Sequence, residues 1–250
     1  MSRVKAIVVL LFLDFFCQVG VAAVVFDATV LPAHTHTVAD FGETSMSFRI
    51  DCLEVGLLEV NCYIVFDREG GTGLVIDPGD EADRIAAQCR DLGIAVRAIL
   101  LTHGHVDHIT GVGDLAQTFK VPVVMHPNEI PLYRSPANTV PPWLPPCENL
   151  PETTADLPDD LPWQIRVLPC PGHSPGGACY HFEDEYALFS GDTLFRGSVG
   201  RADLPGADFN QLLQSIQTQL LTLPDTTTVY PGHGPQTTIG QERETNPYLT

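Results

Sequence analysis

Within six residues, at 103–108, the chain places four side chains able to bind a metal ion or move a proton: His103, His105, Asp107 and His108, in Thr102-His103-Gly104-His105-Val106-Asp107-His108. That density has no use in an apolar core, where unpaired polar groups are costly to bury, so the cluster reads as a metal site. His103 and His105 alternate along an extended segment and can face the same way. Asp107 and His108 follow where the chain turns into a helix. More such residues stand at strand ends or between glycines: His173 in Pro171-Gly172-His173-Ser174-Pro175-Gly176, Asp192 in Ser190-Gly191-Asp192-Thr193, and His233 in Pro231-Gly232-His233-Gly234. Taken singly, each also suits a turn or cap. Together with the cluster they amount to five histidines and two aspartates. Neutral imidazole and carboxylate suit zinc, iron or manganese, with no thiolate required. His34, His36, His126 and His181 have no motif around them and read as structural or surface residues.

The elements that must position these side chains alternate in type. Strand patterns at 47–52, 60–66 and 73–76 precede a helical pattern at 81–92, with Ile85, Cys89 and Leu92 on one face and Gly93 as its stop. A buried strand at 96–101 feeds directly into the histidine cluster. A helix is predicted from Asp107 through Phe119, then a strand at 121–126. Residues 134–163 are rich in proline and acidic side chains and lack periodicity. That is too long for an ordinary connection, so the segment is expected to be a functional loop over the site or mobile. Strands resume at 164–168, 178–182 and 186–190, followed by a helix at 209–221 and a strand at 227–230. Two sheets covered by helices on both outer faces account for this order, with the polar motifs in loops at strand ends.

Composition narrows the classes. The chain has 250 residues, 44% of them hydrophobic and 18% charged, which is globular and large enough for one well-packed domain. Its formal net charge of -18 opposes nucleic acid and anionic lipid unless a metal supplies positive charge. Seven cysteines without a CxxC pair suggest reduced thiols and a cytoplasmic protein. Residues 1–45 read as an extension ahead of a domain at 46–250. A translation start at Met46 is the reading adopted. A secretory signal ending near Ala23, which would export the protein, is the alternative. A membrane anchor ranks last, because Asp14 interrupts a barely sufficient apolar run.

In the order and type of these motifs the chain resembles the metallo-β-lactamase superfamily, and within it the short glyoxalase II-like hydroxyacylglutathione hydrolases. The resemblance runs from about Met46 to the C-terminus. It is carried by the 103–108 cluster, Gly-His-Ser-Pro-Gly at 172–176, Ser-Gly-Asp-Thr-Leu-Phe at 190–195 and Pro-Gly-His-Gly-Pro at 231–235. Gly200-Arg201-Ala202-Asp203 and Glu242-Arg243-Glu244-Thr245-Asn246-Pro247 point to the short branch. The resemblance implies a four-layer αββα sandwich and two divalent metal ions, zinc expected and iron or manganese as alternatives. His103, His105 and His173 would hold the first ion, Asp107, His108 and His233 the second, and Asp192 would bridge them. The lactamases that give the superfamily its name lack this bridging carboxylate, whereas its thioesterase branches have it.

The implied activity is hydrolysis of a small-molecule thioester of the hydroxyacyl-glutathione type by a water that the cations ionise. Asp107 or Asp192 would carry the proton afterwards. Arg196 is the candidate for a substrate carboxylate, Arg201 is expected to pair with Asp203, and Asp77 either orients the metal loop from behind or merely forms a turn. No nucleic acid and no stable membrane association are expected, and the oligomeric state is not implied. The main rival of the same fold is a persulfide dioxygenase, which uses one iron held by two histidines and an aspartate. A phosphodiesterase or nuclease ranks lower, for want of a basic groove, and a non-catalytic binding module lower still. Longer glyoxalase II enzymes carry a C-terminal helical domain with basic groups for the glutathione carboxylates. These 250 residues hold only 13 Lys+Arg, so glutathione itself is not implied.

Overall fold

A computed structural model describes residues 48–67 and 71–249. The extension at 1–45, the Met46 start, His34 and His36 lie outside the described residues. No helix among the described residues is long and apolar enough to cross a membrane.

The chain opens with the antiparallel hairpin β1 (Phe48–Val55) and β2 (Val60–Asp67), in register from Phe48 opposite Asp67 to Val55 opposite Val60. β3 (Thr72–Ile76) joins β2, and helix α1 (Ala82–Asp91) returns the chain to β4 (Ala95–Leu100), parallel to β3. Two short strands, β5 (Val123–Val124) and β6 (Thr153–Thr154), complete a six-stranded sheet in the order β1-β2-β3-β4-β5-β6. The second half supplies β7 (Ile165–Pro169), β8 (Ala178–Phe182) and β9 (Ala187–Gly191), then a small hairpin of β10 (Leu194–Phe195) and β11 (Ser198–Val199). β12 (Thr228–Pro231) and β13 (Thr237–Thr238) close a five-stranded sheet in the order β13-β12-β9-β8-β7.

Strict alternation along the strands builds the layers. Tyr63, Val65, Leu74, Ile76, Ala98 and Leu100 point inward and meet Tyr180, Phe182, Phe189 and Tyr230 of the other sheet. Their neighbours Cys62, Ile64, Val75, Ile99 and Leu101 point outward to Ile85 and Cys89 of α1 and to Val112 and Leu115 of helix α3 (Val112–Phe119). On the far side, Cys179, Leu188 and Val229 pack on Leu212 of helix α5 (Phe209–Ser215) and on Ile239 of α6 (Ile239–Thr245), the short helix α4 (Ile130–Tyr133) lying near the other sheet. Helix, sheet, sheet, helix is the four-layer α/β sandwich expected, and each buried Leu, Ile or Phe contributes roughly 1.5–3 kcal/mol to it.

One expectation is revised, and one open pair of alternatives is narrowed. The helix read from Asp107 through Phe119 is broken into α2 (Val106–Ile109) and α3, because the Gly111 N–H donates to Pro78 O at 3.0 Å rather than back into the helix. The Pro78 carbonyl also lies only 2.9 Å from where a Gly111 Cβ would sit, so the break and the glycine go together. The 134–163 segment is fastened down: β6 adds to the sheet, the Arg134 guanidinium donates to the Leu150 and Pro151 carbonyls, and Trp163 is buried between the sheets.

Candidate metal centre

One edge of the sandwich collects the ends of β3, β4, β7, β9 and β12, and with them all the ligand-type residues of the motifs. His103, His105 and His173 form one group whose donor atoms lie within 4.8 Å of one another, and Asp107, His108 and His233 form a second. Asp192 stands between them: its Oδ2 is 3.7 Å from both His173 Nε2 and His233 Nε2, and its Oδ1 is 3.4 Å from His108 Nε2. The two groups meet at His103 and His108, whose ring centroids are 4.2 Å apart.

In four of the five histidines the ring nitrogen facing away from the centre is engaged, which turns the other nitrogen inward. His173 Nδ1 donates to Arg201 O at 2.8 Å, and His233 Nδ1 to Leu58 O at 3.0 Å. His108 Nδ1 donates to Asp77 Oδ2 at 3.1 Å. His103 Nδ1 lies 3.0 Å from Thr102 Oγ1, whose own proton goes to Asp77 Oδ2 at 2.6 Å. Each therefore turns its Nε2 toward the centre. His105 is the exception, presenting Nδ1, 3.0 Å from His173 Nε2. Asp77 is therefore more than a turn former. It sits in the left-handed region at φ 49°, is 2% exposed, and accepts from Thr102 N, Thr102 Oγ1 and His108 Nδ1. A carboxylate behind a ligating imidazole fixes both tautomer and ring orientation.

Whether these residues fit a cation is tested by their unmet polar atoms. His103 Nε2, His108 Nε2 and Asp192 Oδ1 are buried and have no hydrogen-bond partner. Buried polar atoms are nearly always satisfied, and three of the few left without a partner belong to this one cluster. Lone pairs of neutral imidazole and carboxylate oxygen directed at a common space are what borderline divalent cations bind. The glycines beside the ligands keep that space close: a Cβ on Gly232 would lie 2.3 Å from Asp192 Oδ1 and 2.7 Å from His108 Cε1.

Charge is divided unevenly. Burial and the neighbouring imidazoles hold His103 well below the ordinary histidine range, and burial with His173 brings His105 down to about 4. Burial would lower His108 too, but the Asp192 and Asp107 carboxylates raise it well above the ordinary value. His233 is raised as well, burial being outweighed by its hydrogen bond with Asp107 and by the charge of Asp192. Reciprocally, Asp192 is held well below the usual carboxylate range and Asp107 is lowered, burial being overcome in both by His108 and then His233.

Outside the cluster, Arg196 is exposed at the turn of the β10–β11 hairpin, next to Phe195, whose ring centroid is 6.5 Å from that of His233. Arg201 forms the expected two-pronged pair with Asp203 at 2.7 and 2.8 Å. His126 accepts from Asn128 N, and His181 is buried on the outer face of the second sheet. Sequence reasoning missed a set of buried polar residues that hold the loops. Asn61 Nδ2 donates to Pro231 O and Gly234 O on either side of His233, and Tyr63 Oη donates to Pro231 O. Glu129 and Asn138 grip the backbone around His105. An asparagine inside the apolar run Val60–Val65 was a visible signal; Glu129 and Asn138 gave none.

A family model described as the metallo-beta-lactamase superfamily matches residues 55–233. The hydroxyacylglutathione hydrolase GloC of Haemophilus influenzae is 34% identical over 80% of this chain and 97% of its own length. Among solved structures, the B3 metallo-beta-lactamase BLEG-1 is 37% identical with a TM-score of 0.71, over 81% of this chain and 99% of that one. TTHA1623 in a di-iron-bound form is 41% identical with a TM-score of 0.69, over 79% and 99%. ETHE1 from Myxococcus xanthus is 29% identical with a TM-score of 0.63, over 81% and 84%.

Proposed function

Since this chain belongs to the metallo-beta-lactamase superfamily, a family of metal-dependent hydrolases, we propose that it hydrolyses small-molecule thioesters of the hydroxyacyl-glutathione type. His103, His105 and His173 would hold one divalent cation, Asp107, His108 and His233 a second, and Asp192 would bridge them. The observation that carries the reading is the position of Asp192, whose two oxygens face both groups while His103 Nε2, His108 Nε2 and Asp192 Oδ1 are left without partners. Such a cation pair, when bound, supplies a water ionised near neutral pH and charge to polarise the scissile carbonyl.

The chain's own groups do the rest. Asp77, Thr102 and the Arg201 and Leu58 carbonyls hold the imidazoles in the required tautomers. Asp107 and Asp192, only partly exposed, would take the proton from the attacking water. A thiolate leaving group asks for little protonation, since a free thiol has a pKa of about 8.5, so a thioester would need no dedicated general acid. Arg196, exposed beside Phe195, would meet a substrate carboxylate. Similarity to GloC supports this substrate class. Zinc is the expected metal, with iron in view because TTHA1623 is known in a di-iron-bound form.

The reaction is tested by assaying metal-defined protein on a panel of acyl-thioesters, with a β-lactam included because of the similarity to BLEG-1. Thioester turnover that needs added metal supports the reading. A persulfide dioxygenase is the second reading, in view because the same fold houses it. Oxygen uptake on a thiol persulfide with one iron per chain, and no thioester cleavage, would replace the first reading with the second. A net charge of -18 supports a small-molecule partner over nucleic acid or an anionic membrane.

A further inference from the structure

The spacer between the two ligands of the His-Gly-His motif is held from both sides by Glu129 and Asn138, whose hydrogen bonds go to backbone groups. Gly104 N donates to Glu129 Oε2 at 2.8 Å, and Gly104 O accepts from Asn138 Nδ2 at 2.7 Å. Asn138 Oδ1 then accepts from Val106 N at 3.0 Å, so the peptides on both sides of His105 are fixed. The other oxygen of Glu129 accepts from Gly176 N, in the loop that carries His173. Glu129 is 0% exposed, and a buried carboxylate is tolerated only when it is well hydrogen-bonded. Its partners here come from two separate ligand-bearing loops. Both loops press on the 127–133 segment without room for a side chain: a Cβ on Gly104 would lie 3.1 Å from Tyr133 N, and one on Gly176 would lie 2.8 Å from Glu129 N.

We propose that Glu129, assisted by Asn138, is a positioning residue of the metal centre that sets the separation of the His103–His105 loop from the His173 loop, and so tunes one cation position and not the other. Among the described residues, the hydrogen bonds of Glu129 go to the His103–His105 loop and the His173 loop and not to Asp107, His108 or His233. The inference rests on the two-metal reading above. Glutamine at position 129 keeps the size but only one acceptor oxygen, and turns an amide N–H toward the second backbone N–H. One of the two loops then loses its anchor. Outer-shell partners of this kind typically change metal affinity by about 10- to 100-fold.

The test uses the full chain with Asp107→Ala as background, so that only the all-histidine position remains, and cobalt(II) as probe. Glu129→Gln is expected to weaken cobalt binding there by about 10- to 100-fold and to shift the visible absorption of the bound cobalt. In the otherwise native chain, the same substitution is expected to leave the affinity of the Asp107–His108–His233 position within about twofold, well below the first effect. Unchanged affinity and an unchanged cobalt spectrum overturn the proposal, as does an equal loss at both positions, which would mark a general structural role. Should Glu129→Gln not fold by circular dichroism, Asn138→Ala in the same background serves instead, with a loss of about 10-fold expected and unchanged affinity as the contrary result. If the native chain binds no cobalt at all, it is the two-metal reading that fails, separately from the role of Glu129.

Discussion

The two halves of the metal cluster are built on opposite electrostatic plans. The His103–His105–His173 half is all imidazole and largely buried, and burial with mutual repulsion keeps His103 and His105 neutral. Its loops are tied together by Glu129. The Asp107–His108–His233 half mixes carboxylates with imidazoles whose pKa values are raised, so these histidines hold protons against Asp107 and Asp192. The first half is a ligand set ready for a cation; the second keeps its own positive charge until a cation takes its place. A carboxylate ligand thus changes both what a site binds and what must leave when it does.

The largest effect expected from this contrast is at the residue common to both halves. Asp192→Ala removes the carboxylate between them, so steady-state kinetics should show kcat/KM falling on the order of 1,000-fold, the scale of losing a key charge-stabilising group. Near-native activity would mean that the halves act independently. Next comes Asp107→Ala, which should lower bound metal from two ions to one per chain and cut turnover by about 100-fold or more, with circular dichroism unchanged. A one-metal variant at full activity would break the comparison outright.

Asp77→Asn touches the second half from behind. His108 Nδ1 and both Thr102 donors then compete for the single remaining amide oxygen. Metal affinity at the second position is expected to drop by about 10- to 100-fold, and stability by about 1–3 kcal/mol for the buried donor left unpaired, read by calorimetric titration and denaturant unfolding. The smallest effect is on pH dependence. Because the His108 pKa is raised in the folded protein, a cation entering that half must displace a proton near pH 7. Its apparent affinity should therefore climb about tenfold per pH unit for each proton displaced, until the pH passes the raised value. His105, down at about 4, has no proton to lose there, and His103 is lowered too, so affinity at the first half should depend less steeply on pH than at the second. Zinc titration in weak buffer measures both, and an equal or steeper pH dependence at the all-histidine half would contradict the assignment.

Much of this architecture could be read from residue order. The strands from 60 to 101 announced themselves by runs whose alternate members face different layers, and the ligand-type residues by their density at 103–108 and their seats beside glycines at strand ends. What escaped depends on contacts between distant segments. Gly111 breaks a helix because Pro78, far back in the chain, offers it a carbonyl, and no local pattern encodes that. Glu129 and Asn138 lie in or beside stretches without periodicity, yet each finds a buried backbone partner at Gly104. The 134–163 segment read as a functional loop or a mobile one because its anchors, Arg134 to Leu150 and Pro151, Thr153 to Val123 and the buried Trp163, are scattered contacts with distant segments that leave no periodic pattern. Arg196 stays where the sequence put it, exposed beside the site, and its part in substrate binding rests on the assay panel.

The most direct test of the whole account is the metal content of the reconstituted native chain, measured together with thioester hydrolysis on the same sample. Two divalent ions per chain, with turnover that vanishes on chelation and returns on adding them back, is the expected result. One ion per chain at full thioester turnover, or no bound metal at all, would contradict it.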